Sequence, residues 1–428
     1  MLWGKLFTIS DLCANLAQGS AEAAREREDL YHVVVGGTSL PGTWPTRVLA
    51  VLMLACLLLC VSGEARAASG SYIGFGAYDT QRALAAGTER GIAFKNGEAR
   101  LARGRTKGTL TSPVYDSAHK DTFIPSWNTH TPSGTWLRMQ MRVRSGGSWT
   151  RWWAMGAWAK GTGTIKRHSL KGQRAGDWRV LTDTLQSIGP VFADAYQYRL
   201  ILLSKRTGRT PSVGAIYVTA SNSYRNGEVL VGSNESLWGK DLPVPARSQM
   251  VYPNGGEVWC SPTSLSMVMA YWAKKTGRRS LDKEVPTVAR GTYDYVYRGN
   301  GNWPFNTAYA ASYGLKASAN RFSSLGQVER WIAKGVPVIA SVSWRKGRLT
   351  GAPIPSSSGH LLVIRGFTKA GNVIVNDPAT ASDSGVRRIY QRDEFRRAWF
   401  EAGSGGVAYV VCPSSWHVPN RTYAQGSW

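Results

Sequence analysis

Apolar and polar residues alternate strictly between residues 137 and 144. The apolar positions are Leu137, Met139, Met141 and Val143, and the polar positions are Arg138, Gln140, Arg142 and Arg144. This alternation predicts a strand with one buried face. Residues 196–203 and 214–220 have the composition of further short strands, with glycine-rich turns nearby. Residues 69–223 are therefore predicted to form an all-β domain of the sandwich or jelly-roll type.

Tryptophans are concentrated in this β-rich region. They are Trp127, Trp136, Trp149, Trp152, Trp153, Trp158 and Trp178. Aromatic residues in strands usually belong to the core, whereas exposed ones stack on sugar rings while neighbouring arginines bind anionic groups. The sequence leaves both interpretations open. The second would make the β domain a binding module for an anionic cell-wall polymer or a glycan.

The pattern changes after residue 223. Residues 224–246, which include Pro243-Val244-Pro245, show no periodicity and predict a linker. In residues 247–416, a helix beginning at Cys260 and a helix over residues 324–334 precede a group of strands. These strands are predicted over residues 337–344, 360–367, 372–376 and 407–411. Helices followed by adjacent strands predict an α+β domain, and residues 417–428 form a tail.

An apolar run over residues 48–61 follows Arg47 and precedes Ala65-Arg66-Ala67. Its basic start, its length and its small-residue ending are typical of a signal peptide, and the run is short for a membrane span. We therefore expect residues 1–68 to be a leader and the mature protein to be secreted without a stable membrane span, either free outside the cell or associated with the cell wall. The long stretch before the run favours a translation start further downstream. An unusually long leader and an uncleaved anchor are the alternatives.

Composition and charge narrow the class of protein. Hydrophobic residues make up 43% and charged residues 18% of the chain, which excludes a disordered chain. The formal net charge of +25 favours anionic partners, although a solvated basic surface explains it as well. The basic residues form no run and no zinc-finger or RNA-binding motif, so no specific nucleic-acid partner is expected. The sequence contains no close cluster of metal-ligand residues, so we expect neither a metal site nor a cofactor.

The cysteines single out one candidate nucleophile. Cys13, Cys56 and Cys60 lie in the predicted leader, and two further cysteines do not make a disulfide framework. Cys412 ends an apolar strand and is expected to be structural. Cys260 stands just before Pro262, which suits a first helical turn, and Gly277 predicts the end of that helix. The positive end of the helix dipole favours a thiolate at Cys260.

A nucleophilic thiol needs a base, and His360 is the one histidine within residues 247–416. It opens the predicted strand over residues 360–367, and Asp377 follows the next strand. A hairpin that turns near residue 370 returns the end of the second strand to the start of the first. The spacing therefore predicts a Cys-His-Asp set in which Asp377 orients the imidazole.

Acyl transfer also requires hydrogen-bond donors for the developing oxyanion. The backbone N–H of Cys260 is one candidate, and the side-chain amide of Gln249 is the other. Gln327 lies in another predicted helix and is less well placed. The aromatic stretch over residues 290–304 is expected either to line the substrate cleft or to pack as an ordinary loop.

Three motifs in this order resemble those of a known peptidase family. They are Trp259-Cys260-Ser261-Pro262-Thr263-Ser264, Gly359-His360-Leu361-Leu362-Val363-Ile364-Arg365-Gly366-Phe367 and Val375-Asn376-Asp377-Pro378-Ala379. They are similar to the motifs of the papain-fold cysteine peptidases of family thirty-nine, which includes bacteriocin-processing peptidases. More narrowly, the chain resembles secreted actinobacterial members with an N-terminal β domain.

The resemblance covers about residues 245–413. It implies a papain-like domain whose nucleophile is Cys260, whose base is His360, whose orienting acid is Asp377 and whose oxyanion donor is Gln249. Two positions depart from the family pattern. Ser261 stands where a glycine often follows the nucleophile, and Gln249 is further from Cys260 than such enzymes usually place it.

These observations lead to three functional hypotheses. The first is a secreted cysteine peptidase that hydrolyses peptide or protein substrates through a thioester. The second is a cell-wall amidase or acyltransferase that uses the same three residues, because the nucleophile does not reveal the acyl acceptor. The third is a non-catalytic cell-surface binding protein in which the β domain carries the function.

Overall fold

A computed structural model describes residues 72–420 of the chain. The predicted leader over residues 1–68 and most of the predicted tail lie outside the described residues. Within residues 72–420, no helix is both long enough and apolar enough to cross a membrane.

The regular elements in the first half of the described chain are almost all strands. The strands are β1 Ile73–Tyr78, β2 Thr88–Arg90, β3 Ile92–Lys95, β4 Glu98–Leu101, β5 Lys107–Thr111, β6 Tyr115–Lys120, β7 Thr122–His130, β8 Thr135–Ser145, β9 Ser148–Trp149, β10 Trp153–Trp158, β11 Arg174–Ala175, β12 Trp178–Leu181, β13 Thr184–Ser187, β14 Ala193–Ser204 and β15 Ser212–Ser221. One short helix, α1 Gln81–Leu84, lies between β1 and β2.

These strands form two antiparallel sheets. One sheet has the order β11-β12-β13-β7-β15-β4-β3, with β1 also paired to β15. The other has the order β10-β8-β14-β5-β2, with β6 on β14 and β9 on β8. Rings from the two sheets meet between them, for example Phe123 of β7 and Tyr196 of β14, whose centroids are 5.7 Å apart. The N-terminal region is therefore a large β domain with a shared aromatic core.

The predicted strand over residues 137–144 is confirmed as part of β8. Leu137, Met139, Met141 and Val143 are fully buried, and the polar residues between them face outward. The tryptophans divide between the two interpretations offered by the sequence. Trp127, Trp153, Trp158 and Trp178 are buried in the core, which excludes them from sugar stacking, whereas Trp136, Trp149 and Trp152 are partly exposed.

The second half of the described chain combines helices with one antiparallel sheet. The helices are α2 Cys260–Thr276, α3 Val285–Thr292, α4 Trp303–Ala311, α5 Leu325–Ala333 and α6 Arg392–Arg396. The strands are β16 Leu315–Arg321, β17 Val338–Trp344, β18 Ser357–Phe367, β19 Val373–Asn376, β20 Arg387–Tyr390 and β21 Val407–Pro413. Their order in the sheet is β16-β21-β17-β18-β19-β20. The predicted helices and strands of this half are confirmed, while α3, α4, α6, β16 and β20 were not predicted.

Residues 224–246, predicted as a linker, are irregular but follow a fixed course along the second half. The Trp238 indole N–H donates to Glu329 at 2.8 Å, and the N–H of Leu242 donates to the carbonyl of Arg365 at 2.8 Å. Leu242 and Val244 are buried. The segment therefore packs on the helix and sheet that it precedes.

The β domain covers an open edge of the second sheet. Strand β16 is an edge strand, so its outward backbone groups lack a neighbouring strand. The side chain of Asn128 accepts from the N–H of Ala317 at 3.2 Å and donates to its carbonyl at 2.6 Å. Ser126 accepts from the N–H of Ala319, and Thr219 donates to the Ala319 carbonyl at 2.7 Å. Side chains of the β domain thus take the place of a further strand.

Candidate active site

Helix α2 places Cys260 at its first position. Pro262 fits the first turn because the N–H it lacks would have no partner within the helix, and Gly277 ends the helix with a φ of 70°. Residues 261–273 are all buried, so this is a central helix that reaches solvent only at its ends. Among its buried hydroxyls, that of Ser264 donates to the carbonyl of Leu361 at 3.0 Å. The helix start is thereby fixed against strand β18, which carries His360.

Cys260 is a partly exposed residue at the meeting point of the helix and the sheet, and its thiol is desolvated there. The His360 imidazole and the backbone N–H groups of Ser261 and Leu361 lie close enough to interact with it. Ser261 in turn shares a 3.1 Å hydrogen bond with the hydroxyl of Tyr409 on β21. A sulfur surrounded by donors favours the thiolate form.

His360 lies on β18, opposite Val342 of β17, and its side chain is buried. Its Nε2 is 2.8 Å from Oδ1 of Asp377. That contact leaves Nδ1 as the ring nitrogen available to Cys260. The indole of Trp344 meets the imidazole edge to face, with ring centroids 5.6 Å apart. The ring is therefore held by a carboxylate at one nitrogen and by packing on one side.

Asp377 is fully buried and accepts hydrogen bonds from more than His360. The N–H of Ala379 donates to Oδ1 at 3.0 Å, and the hydroxyl of Tyr390 donates to Oδ2 at 2.7 Å. The preceding residue, Asn376, has a different role: it accepts from Arg365 at 3.0 Å and donates to the carbonyl of Pro245. The structure thus brings Cys260, His360 and Asp377 together, and adds Tyr390, which the sequence did not reveal.

The pKa shifts of these three groups favour one charge state. Burial by itself would raise the pKa of the Cys260 thiol, but the hydrogen bond and charge of His360 outweigh it and lower the pKa below the usual cysteine value. Burial by itself would lower the pKa of His360, but the charge of Asp377 and the contact with Cys260 raise it. Burial would raise the pKa of Asp377, and the charge of His360 with the Tyr390 hydrogen bond lowers it. A thiolate, an imidazolium and a carboxylate are the favoured forms.

Gln249 is buried between the chain segments that precede Cys260 and follow Asp377. Its N–H donates to the carbonyl of Pro378 at 2.8 Å. A Cβ built on Gly256 would stand 2.2 Å from the Gln249 carbonyl, so a glycine is required where these segments touch. Among the described residues, the side-chain amide of Gln249 makes no hydrogen bond, and its Oε1 is buried. The amide is thus near the site without a structural partner of its own.

The aromatic stretch over residues 290–304 is anchored to the β domain. The buried guanidinium of Arg167 donates to the carbonyl of Arg290 at 2.9 Å, and the N–H of Ser169 donates to Asp294 at 3.1 Å. The carboxylate of Asp183 accepts from the N–H of Trp303 at 2.7 Å. The pKa of Tyr409, which contacts Ser261, is raised first by burial and also by the charges of Asp183 and Cys260. The β domain therefore reaches the neighbourhood of the nucleophile.

Residues 72–420 contain no group of three or more His, Cys, Asp or Glu arranged to hold a metal ion. The second described cysteine, Cys412, is buried on β21, and burial raises its pKa to about 11. Such a thiol stays protonated and is not a nucleophile at neutral pH.

Both halves of the chain match known protein families. Residues 70–221 match the model of the peptidase C39 N-terminal domain, and residues 241–407 match the model of the peptidase C39-like family. No curated protein matches the chain.

Several solved structures match the chain in part. The C-terminal CBM6 module of LamC, a laminarinase from Zobellia galactanivorans, has 11% identity and a TM-score of 0.21, covering 34% of this chain and 98% of that one. A carbohydrate-binding module of the β-sandwich superfamily has 14% identity and a TM-score of 0.17, covering 34% and 55%. The xylan-binding module CBM86 of Roseburia intestinalis has 13% identity and a TM-score of 0.17, covering 36% and 96%.

Proposed function

We propose that this chain is a cysteine peptidase with the triad Cys260, His360 and Asp377. It belongs to the peptidase C39-like family and carries the N-terminal domain of the family's actinobacterial members. One observation carries the proposal: a single buried imidazole lies 2.8 Å from a buried carboxylate and interacts with the thiol at the start of helix α2. A papain-like α+β domain is also supported. The buried helix α2 presents the nucleophile to an antiparallel sheet, and that sheet carries the base.

The reaction begins from the thiolate that His360 and the helix start stabilise. The thiolate attacks the carbonyl carbon of an amide and forms a C–S bond, while the carbonyl electrons move to oxygen. The imidazolium of His360 then gives its proton to the leaving amine as the C–N bond breaks, which leaves a thioester. His360 then takes a proton from water, and the resulting hydroxide attacks the carbonyl carbon of the thioester. The C–S bond breaks, which releases the acid and restores the thiolate. Asp377 keeps the imidazole oriented throughout.

The oxyanion formed in each half of the reaction requires donors that are already in place. The N–H of Cys260 and the side-chain amide of Gln249 are the donors we propose. In support, the Gln249 amide is buried near the site and makes no hydrogen bond among the described residues. A donor that is already hydrogen-bonded would have to give up that bond before it could bind an oxyanion. The Gln249 amide has no such bond to give up.

The substrate we propose is a peptide or protein, and no cofactor is needed for this chemistry. The signal-peptide features of residues 48–61 support secretion, with the mature protein outside the cell or at the cell wall. A cell-wall location would place peptide cross-links and secreted proteins within reach of Cys260.

A cleavage screen tests the proposal. Peptide libraries and peptidoglycan fragments are incubated with the wild-type protein, Cys260→Ala and Cys412→Ala, and products are read by mass spectrometry. We expect cleavage by the wild type and by Cys412→Ala, and none above background by Cys260→Ala. Products joined to an added amine would instead favour an acyltransferase. Equal products from the wild type and Cys260→Ala would remove both enzyme hypotheses and leave the binding protein.

A further inference from the structure

The β domain's sheet of order β10-β8-β14-β5-β2 carries a group of arginines and tryptophans on its outer face. We call it the arginine–tryptophan face and define it by Arg90, Arg142, Arg199, Trp149 and Trp152. Arg142 lies on β8 opposite Gln197 of β14, and Arg199 lies on β14 opposite Gln140. Arg90 is exposed, and the other four are partly exposed. This is the face away from the aromatic core of the β domain.

Stacking holds the arginines of this face in place. The guanidinium carbon of Arg142 is 4.4 Å from the ring centre of Trp149 and 4.7 Å from that of Trp152. The guanidinium carbon of Arg199 is 3.8 Å from the ring centre of Trp152. A guanidinium that stacks by its face keeps its N–H edges available to other groups. Both arginines therefore lose side-chain freedom without losing donors.

The charges of this face are not neutralised. Among residues 72–420, neither Arg142 nor Arg199 forms an ion pair with a carboxylate, whereas the neighbouring Arg144 pairs with Asp194 at 2.6 Å. Arg142 donates instead from Nε at 2.9 Å and from Nη2 at 2.5 Å to the neutral side-chain oxygen of Gln197, and Arg199 donates from Nε to the hydroxyl of Thr111 at 3.3 Å. Nη1 of Arg142 and both Nη groups of Arg199 remain available to an anion. Burial first, and then the charges of Arg142 and Arg90, lower the pKa of Arg199. Holding like charges together is unfavourable unless an anion joins them.

We propose that the arginine–tryptophan face binds a linear polyol phosphate polymer through the charges of its main chain. Guanidinium edges match the two free oxygens of a phosphodiester. Guanidinium groups already stack on both tryptophan rings, at 3.8–4.7 Å from the ring centres, so a nucleobase or a sugar ring would compete with an arginine for the ring surface. Recognition then depends on repeated charge, which a phosphodiester main chain supplies. The proposal does not depend on Cys260 or on the peptidase function.

Binding of poly(glycerol phosphate) to the full chain tests this inference. Its affinity is measured at several salt concentrations for the wild type, for Arg142→Gln/Arg199→Gln, and for Arg174→Gln/Arg279→Gln. The last pair removes the same charge from exposed positions, one on the other sheet and one in the second half of the chain. We expect the first double variant to bind at least tenfold more weakly. The negative slope of log K against log salt should become shallower by about 1.4. An equal loss in both double variants would show that net charge alone binds, and would overturn the proposal.

Two further arms test whether binding depends on the stacked arrangement and on the phosphodiester main chain. Trp152→Leu keeps every charge but removes the ring on which both arginines stack, and we expect it to weaken binding at least threefold. Single-stranded DNA and hyaluronan, whose carboxylates lie on sugar rings, are the competing polymers. Tighter binding of either one than of poly(glycerol phosphate), or wild-type affinity in Trp152→Leu, would contradict the proposal. Unchanged peptide cleavage in all these variants is expected, because the face lies outside the triad.

Discussion

The carboxylate of Asp377 is the best-held group of the site, with donors on both oxygens. A buried carboxylate that lacked them would take up a proton, because burial alone raises its pKa. The hydroxyl of Tyr390 occupies Oδ2 and leaves Oδ1 for His360, so it fixes the direction in which the imidazole is oriented. The hydroxyl of Tyr390 acts through Asp377, and we regard Tyr390 as a positioning residue.

Replacing Tyr390 with phenylalanine tests that role. Loss of the hydroxyl leaves Oδ2 without a donor and allows Asp377 to rotate, so we expect kcat to fall about tenfold, equivalent to about 1.4 kcal/mol, with little change in KM. Tyr271→Phe is the matched control, because it also removes one tyrosine hydroxyl, which donates to the Gly335 carbonyl at 2.8 Å away from the triad. An equal fall of kcat in both variants would mean that Tyr390 acts only through stability.

Among the elements, the central helix and the hairpin of β18 and β19 build the site. Helix α2 fixes the sulfur, and the hairpin brings Asp377 back to His360 across seventeen residues. The hairpin could be predicted because a turn near residue 370 sets which residues face each other. The contribution of Tyr390 could not, because it lies on β20, whose pairing with β19 is set only by the folded sheet.

Other elements escaped prediction for related physical reasons. Strand β16 alternates apolar and polar residues over 315–320, but two of its three apolar positions are alanines, which are depleted in strands and give a weak signal. The composition of residues 224–246 predicts no strand or α-helix, and the segment contains only short 3-10 turns, but composition carries no information on where the segment packs. The tryptophans could not be divided into buried and exposed ones from composition, because only their position in the sheets decides this.

Gly277→Ala tests how the end of helix α2 is fixed. The φ of 70° at this residue is unfavourable for alanine, and a Cβ there would meet no atom within 4 Å, so only backbone strain changes. We expect the free energy of unfolding to fall by about 1 kcal/mol in a denaturant titration, with cleavage unchanged. Gly161→Ala is the control, because a Cβ there also meets no atom and no positive φ is required. Equal stability of the two variants would show that the helix end does not depend on a glycine.

For the molecule as a whole, the β domain and the second half are parts of one folded unit rather than two tethered modules. Asn128, Ser126 and Thr219 satisfy backbone groups of the edge strand β16. Arg167 and Asp183 anchor the aromatic stretch near the nucleophile from the same side. Separation of the halves would expose a strand edge and release that stretch. We therefore expect residues 72–420 to unfold in one cooperative transition.

Asn128→Ala tests this dependence. The variant removes an acceptor and a donor from Ala317 on β16, and we expect it to lower the free energy of unfolding by about 2 kcal/mol. Ser133→Ala, an exposed position in the turn after β7, is the control and should change stability by less than about 0.5 kcal/mol. Wild-type stability in Asn128→Ala, or two separate transitions in the wild type, would show that the β domain is dispensable for the fold.

The most direct test of the triad is the pH dependence of alkylation of Cys260 by iodoacetamide, followed by mass spectrometry at that residue. The thiolate is the reacting form, and its pKa is lowered mainly by His360 against the effect of burial. In the wild type we predict an inflection below the usual cysteine value. In His360→Ala, where burial remains and the imidazolium is lost, the inflection should move up by roughly two units or more. The same inflection in both proteins would contradict the pairing of Cys260 with His360, and with it the proposed mechanism.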